Sequence, residues 1–134
     1  MMESQVFLQL ILRIGIFGTF LGHGIFALAV KPEWIPFLTT VGFSVKSASL
    51  IMILIGALDI LVAITVLVLP LRIILIWAAI WAFSAALIRP ISGTHFLDFV
   101  ERSANWTLPL VLLFLQGLPR NFKDLFSIYA KSNK

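Results

Sequence analysis

Four apolar stretches, each bounded by proline or by charged residues, dominate the pattern of this chain. They cover approximately residues 5–30, 48–69, 71–88 and 104–118. A helix needs ~20 mostly apolar residues to cross the ~30 Å hydrocarbon core of a bilayer, and these stretches come close to that length. Proline after an apolar run ends a helix, so the second and third stretches are separate helices. The pattern therefore predicts an all-α fold, a polytopic membrane protein with an antiparallel four-helix transmembrane bundle as its single domain.

The composition agrees with a membrane environment. Apolar residues make up 60% of the 134 positions and charged residues 12%, whereas a soluble domain averages about 45–50% apolar and about 25% charged residues. The chain has no cysteine, which excludes disulfides, thiolate metal sites and the quinone-reducing four-helix oxidoreductases that use a Cys-x-x-Cys pair. We therefore expect the lipid bilayer as the surrounding medium, and no nucleic-acid partner despite the net charge of +4.

The basic residues are distributed unequally between the two sides of such a bundle. Four spans place both termini and the second connection on one side, and the positive-inside rule assigns the more basic side to the cytoplasm. The pattern therefore predicts cytoplasmic termini, with residues 119–134 as a basic tail. The side of the termini carries Arg13, Arg72, Arg120, Lys123, Lys131 and Lys134, and the opposite side carries Lys31, Lys46, Arg89 and Arg102.

Two ionisable residues interrupt the apolar stretches, Arg13 in the first and Asp59 in the second. Charged groups at membrane depth are costly, so they normally face the protein interior and find partners. Because their depths are compatible at ~1.5 Å per residue, we predict an Arg13–Asp59 ion pair. The pair would be a structural clamp or a proton or anion site; the alternative for Arg13 is to extend to the membrane surface.

A small polar pocket is the second hypothesis. His23 lies between glycines in the outer half of the first stretch, where it would bond a neighbouring helix, bind a ligand or ligate haem. Haem is disfavoured, because ligation by two histidines needs a second one at the same depth and His95 lies in a polar connection. Glu101, Arg102 and Asn105 share one face of the fourth stretch. They would either anchor the helix end or line an outward-opening pocket with His23.

Two further helix faces carry signals. Trp77, Trp81 and Ser84 share a face of the third stretch, and Trp81 falls near the bilayer midplane. A buried tryptophan needs a partner for its N–H, so Trp81 would pack within the bundle or form an aromatic wall for a quinone-like ligand. Gly18-x-x-x-Gly22 in the first stretch predicts a closely packed helix surface.

Short residue patterns connect these signals to a known family. They are Arg13-Ile-Gly and His23-Gly-Ile-Phe in the first stretch, Gly56-x-x-Asp59 in the second, and Glu101-Arg102-x-x-Asn105-Trp106 at the start of the fourth. The arrangement resembles the DoxX/DoxD-like family of small four-helix bacterial membrane proteins, which commonly carries glutamate where this chain has Asp59. The resemblance implies a bacterial inner-membrane protein associated with a redox system, such as a subunit of a thiosulfate:quinone oxidoreductase or a partner of antioxidant enzymes.

The leading functional hypothesis is an accessory or assembly subunit of a larger membrane complex, with the bilayer and other membrane-protein subunits as partners. We expect no chemistry of its own, because the sequence offers no cysteine, one intramembrane histidine and no cluster of metal ligands. A small proton-coupled carrier centred on Asp59 is one alternative. The other is a quinone- or small-molecule-binding oxidoreductase subunit whose pocket uses His23, Trp81, Glu101, Arg102 and Asn105; quinone is the cofactor that would fit it.

Overall fold

The computed structural model describes residues 2–129, and these are helical with no strand. Lys131 and Lys134 of the predicted basic tail lie outside the described residues. Short 3₁₀ helices cover Pro32–Trp34 and Phe122–Phe126. The α-helices of the described part are α1 (Met2–Leu28), α2 (Ile35–Thr40), α3 (Val45–Val68), α4 (Arg72–Ile91), α5 (Leu97–Val100) and α6 (Ser103–Gln116).

Three of these helices, α1, α3 and α4, are long and apolar enough to cross a membrane. At ~1.5 Å per residue, the 24 residues of α3 extend about 36 Å, more than the ~30 Å hydrocarbon core requires. By length and composition the chain is therefore a helical membrane protein. The fourth predicted span forms α6, whose 14 residues extend about 21 Å. The bundle of four transmembrane helices stays a prediction.

Helices α1 and α3 pack closely against each other at two glycines. A Cβ added to Gly56 would lie 2.7 Å from the carbonyl oxygen of Gly24, and one added to Gly24 would lie 3.0 Å from that of Gly56. The predicted surface around Gly18 and Gly22 is not this contact, because a Cβ on either residue would meet nothing within 4 Å. Gly24 lies 200° around the helix from Gly22 at 100° per residue, so the two glycines face opposite sides.

The core joins α1, α3, α4 and α6, and it leaves a gap on one side. Helix α4 packs on α6, and it buries several alanines, among them Ala78, Ala82 and Ala86, whose small side chains allow neighbouring helices to approach closely. Helices α3 and α4 are joined by residues 69–71, which predicts neighbours. They nevertheless pack on each other much less than α3 packs on α1 or α4 packs on α6. Space therefore remains between α3 and α4.

The segment after α6 folds back onto the start of α4 through the buried side chain of Arg72. Its guanidinium donates hydrogen bonds to the carbonyl oxygens of Gln116 at 2.7 Å and Gly117 at 2.5 Å. It also donates to the carbonyl of Asp124 at 3.1 Å and the hydroxyl of Ser127 at 2.8 Å. The last carbonyls of a helix lack partners within it, and their partial negative charge favours a cation. Arg72 therefore fixes the end of α6 to α4, a role that its position between two apolar stretches did not predict.

Candidate ligand-binding site

A cavity of about 470 Å³ occupies the space between α1, α3 and α4, and α2 borders it where α1 ends and α3 begins. Small-molecule sites in proteins typically have volumes of about 300–1,000 Å³ and mostly apolar walls with a few polar groups. The walls here are largely apolar, with Phe20, Met52, Ile55 and Ile88 among the lining residues. The cavity is therefore large enough for a small organic molecule with an aromatic ring.

A few polar side chains from three different helices converge on these apolar walls. His23 comes from α1, Asp59 from α3, and Trp81, Ser84 and Arg89 from α4. The His23 ring meets the ring of Trp34 edge to face, with 5.7 Å between centroids. His23 and Trp81, which the sequence analysis assigns to one pocket, both line this cavity together with Asp59 and Arg89.

The carboxyl group of Asp59 is the most deeply buried of these groups. The residue is 4% exposed and lies in the interior of α3. The indole of Trp81 lies close enough to interact with the carboxyl group, but Oδ1 is buried with no hydrogen-bond partner among the described residues. Leaving a buried acceptor unpaired costs about 1–3 kcal/mol. The wall of the cavity therefore carries an acceptor that lacks a donor.

At the other end of the cavity, Arg89 also has an unpaired atom. Its guanidinium lies over the rings of Trp34, at 5.8 Å from the centroid, and Phe37, at 5.0 Å. Such stacking of a cation on an aromatic face is attractive. Its Nε is nevertheless buried with no hydrogen-bond partner among residues 2–129. A rise of ~1.5 Å per residue places Arg89 about 12 Å along α4 from Trp81, so the cavity has polar groups near both ends.

The structure does not bring Arg13 and Asp59 together, so the predicted ion pair is corrected. Arg13 donates through Nε to the carbonyl oxygen of Val66 at 3.2 Å and through Nη2 to that of Leu67. These carbonyls belong to the last turn of α3, where they lack partners within the helix. Val66 lies seven residues beyond Asp59, about 10 Å along the helix. Arg13 therefore binds the end of α3 because free acceptors with partial negative charge are nearer than the carboxylate.

The predicted cluster of Glu101, Arg102 and Asn105 is not part of the cavity wall. Arg102 forms an ion pair with the neighbouring Glu101, the one ion pair within residues 2–129, and donates to the carbonyl of Asp98 at 2.7 Å. The Glu101 side chain is 63% exposed. These residues lie at the junction of α5 and α6, and α6 packs on α4 and α1, whereas the cavity lies between α1, α3 and α4. That these residues anchor the start of the helix stays a prediction.

Sequence reasoning missed two residues of the site, Trp34 and Arg89. Trp34 lies in the connection between the first and second apolar stretches, and Arg89 directly follows the third. One signal was available, since Trp81, Ser84 and Ile88 share a helix face that lines the cavity and Arg89 directly follows Ile88. Trp77, on the same face, stacks on Trp81 at 5.6 Å.

The site has no feature that identifies a metal or a family. Within residues 2–129, no group of three or more His, Cys, Asp or Glu side chains is placed to hold a metal ion. Comparison of the chain with family models, with curated proteins and with solved structures finds no match. The resemblance to the DoxX/DoxD-like family therefore stays a prediction that depends on the quoted residue patterns.

Proposed function

We propose that this chain is an integral membrane subunit that binds a small, flat, mostly apolar molecule of quinone type in the cavity between α1, α3 and α4. One observation carries the proposal: His23, Asp59 and Trp81, from three different helices, meet on one cavity whose other walls are mainly apolar. Buried polar side chains are rare in membrane helices, and where they occur they usually mark a ligand or ion site.

The chemistry of the walls matches such a molecule at both its apolar and its polar parts. Phe20, Met52 and Ile55 provide apolar surface for a ring, and the indole of Trp81 provides a flat aromatic wall. A neutral imidazole has one donor and one acceptor nitrogen, so His23 can bond a ring oxygen in either direction. A lipid-soluble molecule of this kind is already concentrated in the bilayer that surrounds the three apolar helices.

The proposal extends to the place of the chain in the membrane. We take α6 as a fourth, short span that completes an antiparallel bundle, with both termini on the cytoplasmic side of a bacterial inner membrane. The subunit would hold the ligand for a larger redox complex of DoxX-like type, because a chain without cysteine supplies no thiol chemistry for oxidation or reduction. Purification in a gentle detergent should then recover associated subunits together with this chain.

Ligand binding can be tested with the two histidines of the chain as a matched pair. The purified protein in lipid nanodiscs should bind decylubiquinone, a short-chain benzoquinone, saturably and above the background of empty nanodiscs. His23→Ala should weaken this binding about tenfold or more, since loss of a buried hydrogen bond costs about 1–3 kcal/mol. His95→Ala should leave it unchanged, because His95 is exposed and does not line the cavity. Absence of saturable binding, or equal effects of both variants, would contradict the proposal.

A further inference from the structure

We propose that the cavity selects the hydroquinone form of its ligand over the quinone form, and that Asp59 is the residue that determines this specificity. The inference rests on the proposed function and adds a redox-state preference to it. Asp59 lies on the wall of the cavity and is almost completely buried, and its Oδ1 has no hydrogen-bond partner within the described part of the chain. A ligand group at that oxygen would supply the missing hydrogen bond.

No neighbouring side chain fills this role. Arg13 is bonded to the carbonyls of Val66 and Leu67 at the end of α3. Arg89 lies about two helical turns further along α4 than Trp81, over the rings that border the mouth of the cavity. Trp81 has a single N–H, so it can serve one position of the carboxyl group and not both oxygens. The donor for Oδ1 must therefore come from whatever fills the cavity.

A hydroxyl group pairs with Asp59 whichever protonation state the carboxyl group has. A phenolic hydroxyl both donates and accepts, so it donates to an ionised carboxylate and can also accept from a protonated one. A quinone carbonyl only accepts. If the carboxylate of Asp59 is ionised, the quinone carbonyl oxygen and the carboxylate oxygen are two acceptors that face each other without a donor. This arrangement is costly in a site shielded from water. The hydroquinone can therefore bond with Asp59 in either protonation state, whereas the quinone can do so only when the carboxyl group is protonated.

A competition of the two redox forms tests the inference. Decylubiquinol and decylubiquinone are equilibrated separately with the protein in lipid nanodiscs under anaerobic conditions, and bound ligand is quantified after extraction, with empty nanodiscs as background. We expect the quinol to bind at least tenfold more tightly, equivalent to about 1.4 kcal/mol. The dimethyl ether of the quinol, which lacks donors, should bind no better than the quinone. That comparison uses the unaltered protein and does not depend on a variant that folds.

Two variants locate the preference at Asp59. Asp59→Asn replaces one acceptor with an amide that donates to a quinone carbonyl, so the ratio of the two affinities should fall to about threefold or less. Thr65→Ala is the matched control from the same helix. The Thr65 hydroxyl donates to the carbonyl of Leu61 at 2.7 Å and does not line the cavity, so its loss should leave the ratio unchanged.

Each adverse result has a distinct meaning. Equal affinities for quinol and quinone in the unaltered protein would overturn the inference. This result is expected if water, and not the ligand, donates to Oδ1. The proposed ligand site would be unaffected by it. An unchanged preference in Asp59→Asn would also overturn it, because the selectivity would then come from another group. Failure of both forms to bind would overturn the proposed function, and the inference with it.

Discussion

At the end of the molecule where α3 and α6 stop, Arg13 donates to two carbonyls of α3, and Arg72 donates to three carbonyls and a hydroxyl. Around the cavity, by contrast, Asp59 and Arg89 each have a buried polar atom with no partner among the described residues. Helix geometry explains the difference for Asp59, because a helix C-terminus presents free backbone acceptors to an arginine, whereas the interior of α3 presents no free backbone donor to a carboxylate. The arginines therefore stabilise the fold at one end, whereas the unpaired polar atoms at the cavity are the groups that we propose to bind a ligand.

The largest effect should come from removing the most highly bonded arginine. Arg72→Ala would leave the carbonyls of Gln116 and Gly117 without their donors, so we expect the free energy of unfolding to fall by about 3–5 kcal/mol. SDS titration of the purified protein followed by circular dichroism would measure this change. The control is Arg120→Ala, because the Arg120 side chain is exposed and its backbone N–H, which binds Asp124, is retained. Similar losses in both variants would refute the proposed division between the two ends.

A smaller effect should follow from adding a side chain at the contact between Gly24 of α1 and Gly56 of α3. Gly56→Ala places a Cβ 2.7 Å from the backbone oxygen of Gly24, which the two helices can relieve only by moving apart, at about 1–3 kcal/mol. Gly22→Ala meets nothing within 4 Å and removes a flexible residue from a helix, so it should stabilise by about 0.5–1 kcal/mol. The thermal midpoints of the two variants should shift in opposite directions. Shifts of the same sign would show that the glycine contact does not control the spacing of α1 and α3.

The smallest expected effect is the coupling between the two regions. Arg13→Ala should cost about 1–2 kcal/mol through loss of the hydrogen bonds and the charge at the end of α3. Asp59→Asn should add to it independently, since groups about 10 Å apart without shared partners couple by less than about 0.5 kcal/mol. A double-mutant cycle on unfolding free energies gives this value. A coupling above about 1 kcal/mol would show that Arg13 and Asp59 interact directly, in contradiction to the structure.

The long helices are well predicted from the sequence because their limits depend on local features, namely the length of each apolar run and the proline or charged residues that bound it. The pattern predicts a helix over 71–88, and α4 covers Arg72–Ile91. The helix continues past Arg89-Pro90 because a proline in the last turn removes few hydrogen bonds. The fourth stretch gave the position of α6, but its length does not show whether it crosses the membrane.

The site was predicted less completely because it depends on how the helices rotate about their axes. His23 and Trp81 were assigned to one pocket, and both line the cavity. Glu101, Arg102 and Asn105 were assigned there too, although α6 packs away from the cavity. Depth along the membrane is readable from residue counts, whereas the choice between Asp59 and the end of α3 as the partner of Arg13 required knowledge of which groups are nearest in three dimensions.

The short helix α2 has a consequence for the rate of exchange at the cavity. It contributes no buried residue, yet Phe37 and Leu38 border the cavity. Segments with few buried contacts open locally at small free-energy cost. A bound molecule would escape by displacement of these six residues, without separation of α1 from α3. Its residence time would then follow the opening of α2, so that rapid turnover at the site is compatible with a rigid frame of long helices.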